Sequence, residues 1–491
     1  MVVTVDGRSL SLGDAIEVSE NGASVKASSQ SLRQMEKFRS LLEQKLSRGE
    51  VVYGVNTGFG SLSDKVVRPE NLEQLQLNLI RSHSAGVGEP MPTEVVRAAM
   101  LIRLNSLLNG NSAVRKEVAE LIVGMLNKGV TPLVPRFGSL GASGDLVPSA
   151  HMALSMLAEG KAYRRSRLME SSRALGASKL KPIKLKAKEG LSLINGTAFT
   201  TALGCISVHR GQVLLNSANS ALAVTAEVLG ACSQSFDEEL VGVKLDPGQD
   251  FVARQVRGLL KGSRRMRSEP VPQDPYSIRC APQVHGALRN ALEFAKKVTV
   301  SEMNSVSDNP VLLEDGSVLH GGNFHAQPVA MALDLLTLAI SYLGVISLAR
   351  IHFLLSKTPP ETKYMAGKPG LESGLMIIEY TATALAAENA KEVYPESSYP
   401  ASVSGGIEDH ASHGVNSGMK TLAVATNVSR ILATELVCAS NILGSNESGI
   451  SEHARKVCSV VRGRSPLLTG DRAQGEEIEA LANDAIAGRL A

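Results

Sequence analysis

LLTLAISYLGVISLA, residues 335–349, is the most apolar stretch of the chain and decides its fold class. The stretch has 15 residues between Asp334 and Arg350, fewer than the roughly 20 that a membrane-spanning helix needs. Wound into a helix, it would present apolar side chains on nearly every side. In a protein without membrane spans, such a helix is buried inside a helical bundle or between copies of the chain. The stretch therefore predicts a buried helix and no membrane span.

Further Ala- and Leu-rich segments of the same character follow residue 200. Their periodicity and length predict helices over 201–231, 283–305, 326–357, 372–392 and 415–443. Only 3% of the residues are aromatic and there is no Trp, a composition that favours packed helices over sheets, whose strands rely on aromatic and β-branched side chains. We therefore expect residues 201–491 to form a long helical bundle that is also the oligomerisation core.

Residues 1–200 have a more mixed pattern. Helical patterns near 31–48, 70–85, 94–108 and 113–128, and a further helix after Pro148, alternate with Gly- and Pro-rich breaks. The opening VVTVDGRSL (2–10) predicts a small pair of strands around Asp6 and Gly7. The fold class is thus expected to be mainly α, with a smaller mixed N-terminal domain (1–200) beside the bundle (201–491).

The charges and the cysteines argue against several classes of protein. The formal net charge of +3 is too small to indicate a polyanionic partner. Segment 161–188 is rich in Lys and Arg but has no aromatic or Gly-rich recognition pattern, so we expect a solvated surface arm and no nucleic acid. The five cysteines are scattered, without C-x-x-C spacing, which fits neither a disulfide framework nor a zinc ribbon. No signal-peptide pattern precedes Asp6, and we expect a cytoplasmic protein.

Within GSLGASGDLVP (138–148), Ser143 lies between two residues with almost no side chain. A serine-hydrolase elbow would read G-x-S-x-G after a strand. Here Asp145 occupies the second position after the serine, and two prolines break the preceding TPLVPRFGSL. A phosphate-binding Walker loop requires G-K-[ST], which this stretch lacks. Neither of these familiar interpretations fits the residues.

A third interpretation uses the backbone of Ala142, Ser143 and Gly144. In a tight turn the Gly144 nitrogen can attack the carbonyl carbon of Ala142, because small residues lower the steric barrier and glycine adopts unusual dihedral angles. Loss of one water closes a five-membered ring, and dehydration of Ser143 leaves an exocyclic methylidene. The product is an electrophile, a property that no unmodified side chain has.

The chain also carries a series of motifs that one enzyme family shows in the same order: YGVNTGFG (53–60), GSLGASGDLVPSAH (138–151), KEGLSLINGTAF (188–199), QDPYSIRCAPQVHG (273–286), SDNP (307–310), GGNFHA (321–326) and EDH (408–410). On these motifs it resembles the aromatic amino-acid ammonia-lyases, which build a 4-methylidene-imidazol-5-one from Ala-Ser-Gly. Within that family it looks most like the members that convert L-histidine to trans-urocanate and ammonia. The resemblance implies a fumarase/aspartase-like helical bundle, a homotetramer with shared active sites, and no external cofactor.

The resemblance also implies roles for three groups of motif residues, of which the first acts on the substrate backbone. Tyr53 is implied to be a base or proton carrier, and Tyr276 is implied to be catalytic. Gln273, Tyr276 and Arg279 are spaced three apart, so on a helical or 3₁₀ turn they would line one side. An arginine there is suited to bind the substrate carboxylate through two hydrogen bonds.

The second group shapes the pocket and recognises the substrate ring. By resemblance, Asn195 helps to bind substrate or to polarise the carbonyl of the electrophile, and Phe324 flanks the prosthetic group. His83 and Glu408 are implied to lie at the far end of the pocket, facing the imidazole of L-histidine. These assignments make His83, Asn195, Gln273, Arg279, Phe324 and Glu408 the expected substrate-binding residues.

Metal binding is the alternative use of the remaining histidines. No H-E-x-x-H or equivalent motif occurs, and the chemistry already has its electrophile, so we expect no metal at His320, His325, His410 or His413. Two alternative functions stay open. Ile407 stands where histidine-specific relatives commonly carry Gln, which leaves room for a sibling that acts on tyrosine or phenylalanine as a lyase or aminomutase. A non-catalytic helical scaffold would also fit the composition, although it would not need Ala-Ser-Gly.

Overall fold

Helices dominate the structure, as predicted. The computed structural model describes residues 1–60 and 64–491. The α-helices, in chain order, are α1 (Leu12–Ser19), α2 (Ser29–Ser47), α3 (Leu72–His83), α4 (Thr93–Leu108), α5 (Lys116–Lys128), α6 (Leu146–Met156), α7 (Ser171–Ala177), α8 (Glu189–Ile194), α9 (Ala198–Leu229), α10 (Glu238–Gly242), α11 (Pro247–Leu259), α12 (Tyr276–Arg279), α13 (Ala281–Met303), α14 (Gln327–Ser356), α15 (Met376–Glu392), α16 (Gly414–Leu443), α17 (Glu452–Arg464) and α18 (Gly475–Ile486). Short 3₁₀ helices lie at Pro69–Asn71, Ser233–Phe236, Pro360–Met365, Glu396–Ser398 and Ser404–Gly406.

The strands are short and form small separate sheets. They are β1 (Val2–Val5), β2 (Ser24–Ala27), β3 (Val87–Pro90), β4 (Val130–Pro132), β5 (Pro135–Phe137), β6 (Lys161–Arg164), β7 (Arg167–Glu170), β8 (Val311–Leu312) and β9 (Val318–Leu319). β1 pairs with β2 in parallel, whereas β3–β5, β4–β6–β7 and β8–β9 are antiparallel. Most of the strands belong to the first 200 residues, where a mixed pattern was predicted.

The chain divides into two compact units. The first contains residues 1–206, 295–333 and 395–419, and the second contains 207–294, 334–394 and 420–491. The first crossing between them, after residue 206, lies close to the boundary predicted at residue 200. Residues 295–333 and 395–419 then return to the first unit, and these two segments bring motifs from late in the sequence to the Ala-Ser-Gly loop.

The predicted pair of strands around Asp6 and Gly7 is wrong. Val2–Val5 pairs in parallel with Ser24–Ala27, on the far side of α1. The reason lies in the Asp6 carboxylate, whose Oδ1 accepts hydrogen bonds from the backbone N–H groups of Arg8 (2.8 Å) and Ser9 (2.9 Å). These bonds hold a turn that directs the chain into a helix instead of a second strand.

The basic segment 161–188 is not simply a solvated arm. Its first part forms β6 and β7, which extend the sheet of β4, and its middle part forms α7. At its end Lys188 is fully buried, with Nζ 2.7 Å from Oδ2 of the buried Asp308. A buried ammonium needs such a partner, so this end of the segment belongs to the core of the first unit.

α4 is the central helix of the first unit. It packs against α1, α2 and α5, and every residue from Val95 to Leu108 except Arg97 is buried. Two polar side chains lie on this buried surface. Asn105 accepts a hydrogen bond from the backbone N–H of Gly7 at 2.8 Å, and Arg103 extends toward the Ala-Ser-Gly loop, as described below.

α14 and α16 are long and apolar enough to cross a membrane by length and composition. The 15-residue apolar stretch is only the centre of α14, which has 30 residues, so its length alone does not exclude a span. Burial is the better criterion: 72% of the apolar window of α14 and 78% of that of α16 are buried within the protein. Such burial is typical of the core helices of a helical bundle.

The second unit contains a fully buried ion pair between Arg350 of α14 and Glu435 of α16. Arg350 Nε and Nη2 donate to the two carboxylate oxygens at 2.6 and 2.8 Å. Thr225 and Ser347 donate their hydroxyl groups to the same carboxylate at 2.7 and 2.6 Å. Each carboxylate oxygen of Glu435 therefore accepts two hydrogen bonds. A buried ion pair is stable when its remaining hydrogen-bonding capacity is satisfied in this way.

Neutralising Glu435 is expected to be strongly destabilising. Glu435→Gln leaves the Arg350 guanidinium buried without its counter-charge, and we expect the free energy of unfolding to fall by about 3–5 kcal/mol. Glu479→Gln is the matched control, because Glu479 pairs with Arg430 on the surface, where 54% and 30% of the two side chains are exposed. In urea unfolding, the free energy of unfolding of that control should fall by less than about 1 kcal/mol. Equal effects of the two variants would contradict the prediction.

Candidate active site

The Ala-Ser-Gly loop is built on close contacts between backbones. Gly144 has a φ of +81° and Gly141 a φ of +79°. Gly144 forms a parallel bridge with Gly196, and a Cβ on Gly144 would lie only 2.4 Å from the carbonyl oxygen of Gly196. Both the backbone conformation and the space therefore require glycine at position 144.

Asp145 fixes the residue position that directly follows the Ala-Ser-Gly tripeptide. Its backbone N–H donates to the Gly196 carbonyl at 2.7 Å. Its carboxylate accepts hydrogen bonds from the backbone N–H and the hydroxyl of Thr200 at 2.7 and 2.8 Å. Burial raises the pKa of Asp145 above its ordinary value, while the hydrogen bonds from Thr200 and the charge of Arg103 oppose that shift. The loop is thus fixed to the start of α9 immediately after the tripeptide.

Asn195 contacts the tripeptide directly. It ends α8, and its Nδ2 donates to the carbonyl oxygen of Ser143 at 3.1 Å. Its Oδ1 is buried without a hydrogen-bond partner among the described residues. The backbone carbonyl of Asn195 accepts a hydrogen bond from Arg103 Nη2 at 2.7 Å. Asn195 is thus hydrogen-bonded through its side chain to the tripeptide and through its backbone to Arg103.

A cavity of about 690 Å³ opens in front of the tripeptide. All of its lining residues belong to the first unit. Six of the residues predicted from the sequence line it: Tyr53, Ala142, Ser143, Asn195, Phe324 and Glu408. The structure therefore brings together residues that are up to 355 positions apart in the sequence (from 53 to 408).

Tyr53 lies on the turn that follows α2. Its hydroxyl oxygen accepts a hydrogen bond from the backbone N–H of Gly60 at 3.2 Å. Its ring packs edge to face with that of His320, with the two ring centres 5.9 Å apart. These two contacts hold the phenol at the cavity wall.

His83 ends α3 and is electrostatically coupled to Glu408, although it is not itself part of the cavity wall. Its Nδ1 lies 2.9 Å from the carbonyl of Leu79. Because a carbonyl only accepts, Nδ1 carries the hydrogen of the neutral ring and Nε2 is left as an acceptor. Burial lowers the pKa of His83, and the Leu79 hydrogen bond and the charge of Glu408 partly offset this shift.

Gln273, Tyr276 and Arg279 belong to the second unit and do not line this cavity. Tyr276 and Arg279 are the ends of the single-turn helix α12, with Pro275 as its N-cap. The Arg279 guanidinium stacks over the Tyr276 ring at 4.9 Å, so these two side chains lie on the same side of the turn. Tyr276 is 71% exposed.

Sequence reasoning missed several residues of the cavity wall or considered them only as metal ligands. They are Asn309, His320, His325, Gln327, Asp409 and His410. His325 stacks on His410 with ring centres 5.3 Å apart. Within residues 1–60 and 64–491, no three His, Cys, Asp or Glu side chains are grouped as metal ligands. The signal was present in the motifs SDNP, GGNFHA and EDH, which contain Asn309, His325, Asp409 and His410.

Comparison with known proteins identifies the family. The family described as aromatic amino acid lyase matches residues 10–463. This range is most of the chain, and the chain therefore belongs to the aromatic amino acid lyase family.

Particular members of the family are similar over nearly the whole chain. Histidine ammonia-lyase from Symbiobacterium thermophilum is 42% identical over 488 residues, 97% of this chain and 95% of that protein. The crystal structure of histidine ammonia-lyase from Trypanosoma cruzi has a TM-score of 0.92 and 36% identity, covering 100% of this chain and 94% of that one. Tyrosine aminomutase from Streptomyces globisporus has a TM-score of 0.94 and 33% identity, covering 100% and 98%. The predicted family and helical fold are thereby confirmed.

Proposed function

We propose that the protein is a histidine ammonia-lyase, which eliminates ammonia from L-histidine without oxidation and gives trans-urocanate. The observation that carries this proposal is the placement of Ala142 and Ser143 on the same cavity wall as Tyr53 and Glu408. The precursor of an electrophile, a proton acceptor and a carboxylate suited to an imidazole are gathered in one site. Relatives named histidine ammonia-lyase, at 42% and 40% identity over nearly the full length, support the same reaction.

The residues at 142–144 fit a methylidene-imidazolone. Gly144 has the backbone freedom that ring closure needs and no space for a side chain. Asn195 donates to the Ser143 carbonyl, the oxygen that stays a carbonyl after closure, and its own Oδ1 is an unused acceptor among the described residues. When formed, the group supplies the electrophilic carbon that elimination of a poor leaving group such as ammonia requires.

Tyr53 is suited to move the substrate proton. The reaction must remove a weakly acidic β-hydrogen, and a general base for it has to lie at the cavity wall. The hydrogen bond from Gly60 N–H to the Tyr53 oxygen stabilises negative charge as it develops there. We assign to Tyr53 the acceptance of the β-proton.

His83 and Glu408 favour a substrate ring that donates hydrogen bonds. The neutral His83 ring keeps Nε2 as an acceptor, and the Glu408 carboxylate is an acceptor only. An imidazole offers an N–H to such a site, whereas a phenyl ring offers none. Phe324 and the other apolar members of the wall then enclose the ring. This pattern of acceptors supports L-histidine as the substrate.

Arg279, with Gln273 and Tyr276, is proposed to bind the substrate carboxylate in a site shared between subunits. The exposure of Tyr276 and the buried, unpartnered Nε of Arg279 among the described residues support a role toward another chain. Tyr276 is further proposed to be catalytic. A planar guanidinium matches a carboxylate in a two-point contact that lysine cannot make.

The active unit is proposed to be a homotetramer. α14 carries an exposed apolar face in the described structure, formed by Met331, Leu335, Tyr342 and Val345, which are 40–55% exposed. Their spacing of four, seven and three residues puts them on one side of the helix. A row of this kind is characteristic of a helix that packs against another chain.

A charge in this face is expected to dissociate the tetramer. We predict four times the chain mass for the wild type by light scattering, and a smaller species for Val345→Glu, because the interface would have to bury an unpaired carboxylate. Val243→Glu is the matched control, since Val243 is 81% exposed outside the α14 face, and it should remain tetrameric. A fully active wild-type monomer would be incompatible with shared sites.

A cytoplasmic location is proposed from the cysteines. All five are free, and four of them are buried. Burial raises the pKa of the Cys205 thiol to about 12 and that of Cys458 to about 11, so these side chains remain protonated at neutral pH. Free thiols without disulfides are typical of proteins in a reducing compartment.

Direct assay separates this function from its siblings. The purified protein is incubated with L-histidine, L-tyrosine or L-phenylalanine while ultraviolet absorbance follows the conjugated acrylate and a second assay follows ammonia. We expect trans-urocanate and equimolar ammonia from L-histidine. The high structural similarity to a tyrosine aminomutase makes a β-amino acid from tyrosine, without ammonia, the outcome that would replace the proposal.

A further inference from the structure

Arg103 is an unusual side chain for the core of a protein. It lies on the buried central helix α4 and is completely inaccessible to solvent. Its Nη2 donates to the carbonyl of Asn195 at 2.7 Å, but its Nε and Nη1 have no hydrogen-bond partner among the described residues. Leaving donors of a buried charged group unpaired is energetically unfavourable. Packing alone does not explain an arginine at this position.

The carboxylates near Arg103 stabilise its charged form by their electrostatic field and not by an ion pair among the described residues. Burial lowers the pKa of Arg103, and the charges of Asp308 and Asp145 act against that shift. Asp308 is already paired with Lys188 at 2.7 Å, and Asp145 is hydrogen-bonded by Thr200. The guanidinium thus has carboxylates nearby but no ion pair of its own among the described residues.

Three groups follow one another in direct contact from Arg103 to the tripeptide. A Cβ on Gly196 would lie 2.5 Å from Arg103 Nη2 and 2.5 Å from the carbonyl oxygen of Ser307. A Cβ on Gly144 would in turn lie 2.4 Å from the carbonyl oxygen of Gly196. The guanidinium therefore packs against the Gly196 backbone, and the Gly196 backbone packs against Gly144.

We propose that Arg103 is a positioning residue for cyclisation of Ala142-Ser143-Gly144, because it fixes the 195–196 backbone against which the tripeptide folds. The inference rests on the proposed function, in which this tripeptide becomes the electrophile. Arg103 touches neither the substrate nor the reacting atoms. It acts through Asn195, whose carbonyl it binds and whose side chain holds the Ser143 carbonyl.

The reaction that Arg103 assists requires close positioning. A bond forms between Gly144 N and the Ala142 carbonyl carbon. The Ala142 oxygen leaves as water with the hydrogens of Gly144 N and Ser143 N, and a double bond forms between the Ala142 carbon and Ser143 N. A second water takes the Ser143 hydroxyl and its α-hydrogen, with no oxidation or reduction. An intramolecular attack of this kind depends on holding the two atoms together, and a displacement of roughly 1 Å can cost about 10²-fold in rate.

An arginine fits this role better than a lysine. The guanidinium is a rigid plane with donors in fixed directions, so it can support the Gly196 backbone and bind the Asn195 carbonyl at the same time. A lysine keeps the charge but is a flexible single donor. Arg103→Lys should therefore preserve the electrostatics of the site while it loosens the 195–196 backbone.

Intact-mass measurement of refolded protein tests the proposal without an activity assay. Cells that express wild type, Arg103→Lys or Arg103→Gln are lysed in denaturant soon after induction, so that chains that have not yet cyclised are collected unfolded. These chains are then refolded and sampled over time. We expect the loss of two waters to slow by about 10²-fold in both Arg103 variants. Circular dichroism and light scattering establish that the sampled protein is folded and tetrameric.

Arg97→Lys is the matched control. Arg97 lies on the same helix and also donates to backbone carbonyls, those of Val18, Ser19 and Leu126. It should fold and lose both waters at the wild-type rate. Retained water in the folded Arg103 variants, beside normal loss in this control, supports the proposal.

Two results would overturn the positioning role. Folded Arg103→Lys or Arg103→Gln that loses both waters at the wild-type rate shows that Arg103 is not needed for cyclisation. Failure of both variants to fold shows that Arg103 acts on the fold as a whole and not on the tripeptide. Active wild-type protein that never loses water would be a different result. It would show that the proposed electrophile does not form, and so it would refute the proposed function rather than the role of Arg103 alone.

Discussion

Ser143→Ala is expected to abolish turnover of L-histidine, with a loss on the order of 10³-fold or more, the scale seen when a group that forms the covalent link to substrate is removed. Alanine has no hydroxyl to lose, so the exocyclic methylidene cannot form. We further expect wild-type protein to weigh two waters less than its encoded mass and Ser143→Ala to keep its full mass. Alanine cannot undergo the second dehydration that makes the product conjugated, so we expect the variant not to retain a closed ring.

Ser149→Ala provides the control for this prediction. Ser149 is buried six residues further on, in α6, and its hydroxyl has no hydrogen-bond partner among the described residues. Its removal should be neutral for folding, for activity and for the loss of two waters. Mass spectrometry of the three proteins, beside their rates with L-histidine, decides the matter. Full encoded mass in active wild-type protein would refute the mechanism.

The long helices were predictable because their pattern is strong and local. α14 (Gln327–Ser356) and α16 (Gly414–Leu443) agree within one residue with the segments predicted at 326–357 and 415–443. α17 (Glu452–Arg464) was not predicted, since its sequence EHARKVCSVVRGR is dominated by charged and polar residues. The parallel pairing of β1 with β2 was also missed, because it depends on a contact across an intervening helix that no local pattern encodes.

The site was predictable where its motifs are local and not where it depends on burial. Ala142, Ser143 and Asn195 were found from motifs, and the structure brings them into contact through a hydrogen bond from Asn195 to the Ser143 carbonyl. Arg103 was missed because a lone arginine outside any recognised motif, on a helix that also carries Glu94 and Arg97, suggests a surface position from sequence alone. Its complete burial, with two unpaired nitrogens in the described structure, is visible only after the chain has folded.

Selectivity for L-histidine should depend on Glu408. Its backbone carbonyl accepts a hydrogen bond from Val403 N–H at 2.9 Å, a contact that every side-chain variant keeps, so substitution should leave the loop in place. The carboxylate lines the cavity and lies close enough to His83 to influence its pKa. With phenylalanine bound, the carboxylate would be desolvated without a partner, and sites built around such groups reject analogues that lack the matching donor by about 10⁴-fold.

We therefore expect wild-type protein to favour L-histidine over L-phenylalanine by about 10⁴-fold in kcat/KM, with L-tyrosine as the harder competitor because its hydroxyl can bond to His83. Glu408→Ala should lower kcat/KM for L-histidine by about 10- to 100-fold, the equivalent of one hydrogen bond to a charged group. The values for phenylalanine should change little or rise, because the desolvation cost is gone. Asp409→Ala is the matched control, since Asp409 is an exposed carboxylate on the same cavity wall. Its loss should leave kcat/KM unchanged for both substrates. An equal loss of kcat/KM for both substrates in Glu408→Ala, or a wild-type preference for tyrosine, would show that other residues determine ring selectivity. Neither outcome would affect the elimination chemistry proposed at Ser143.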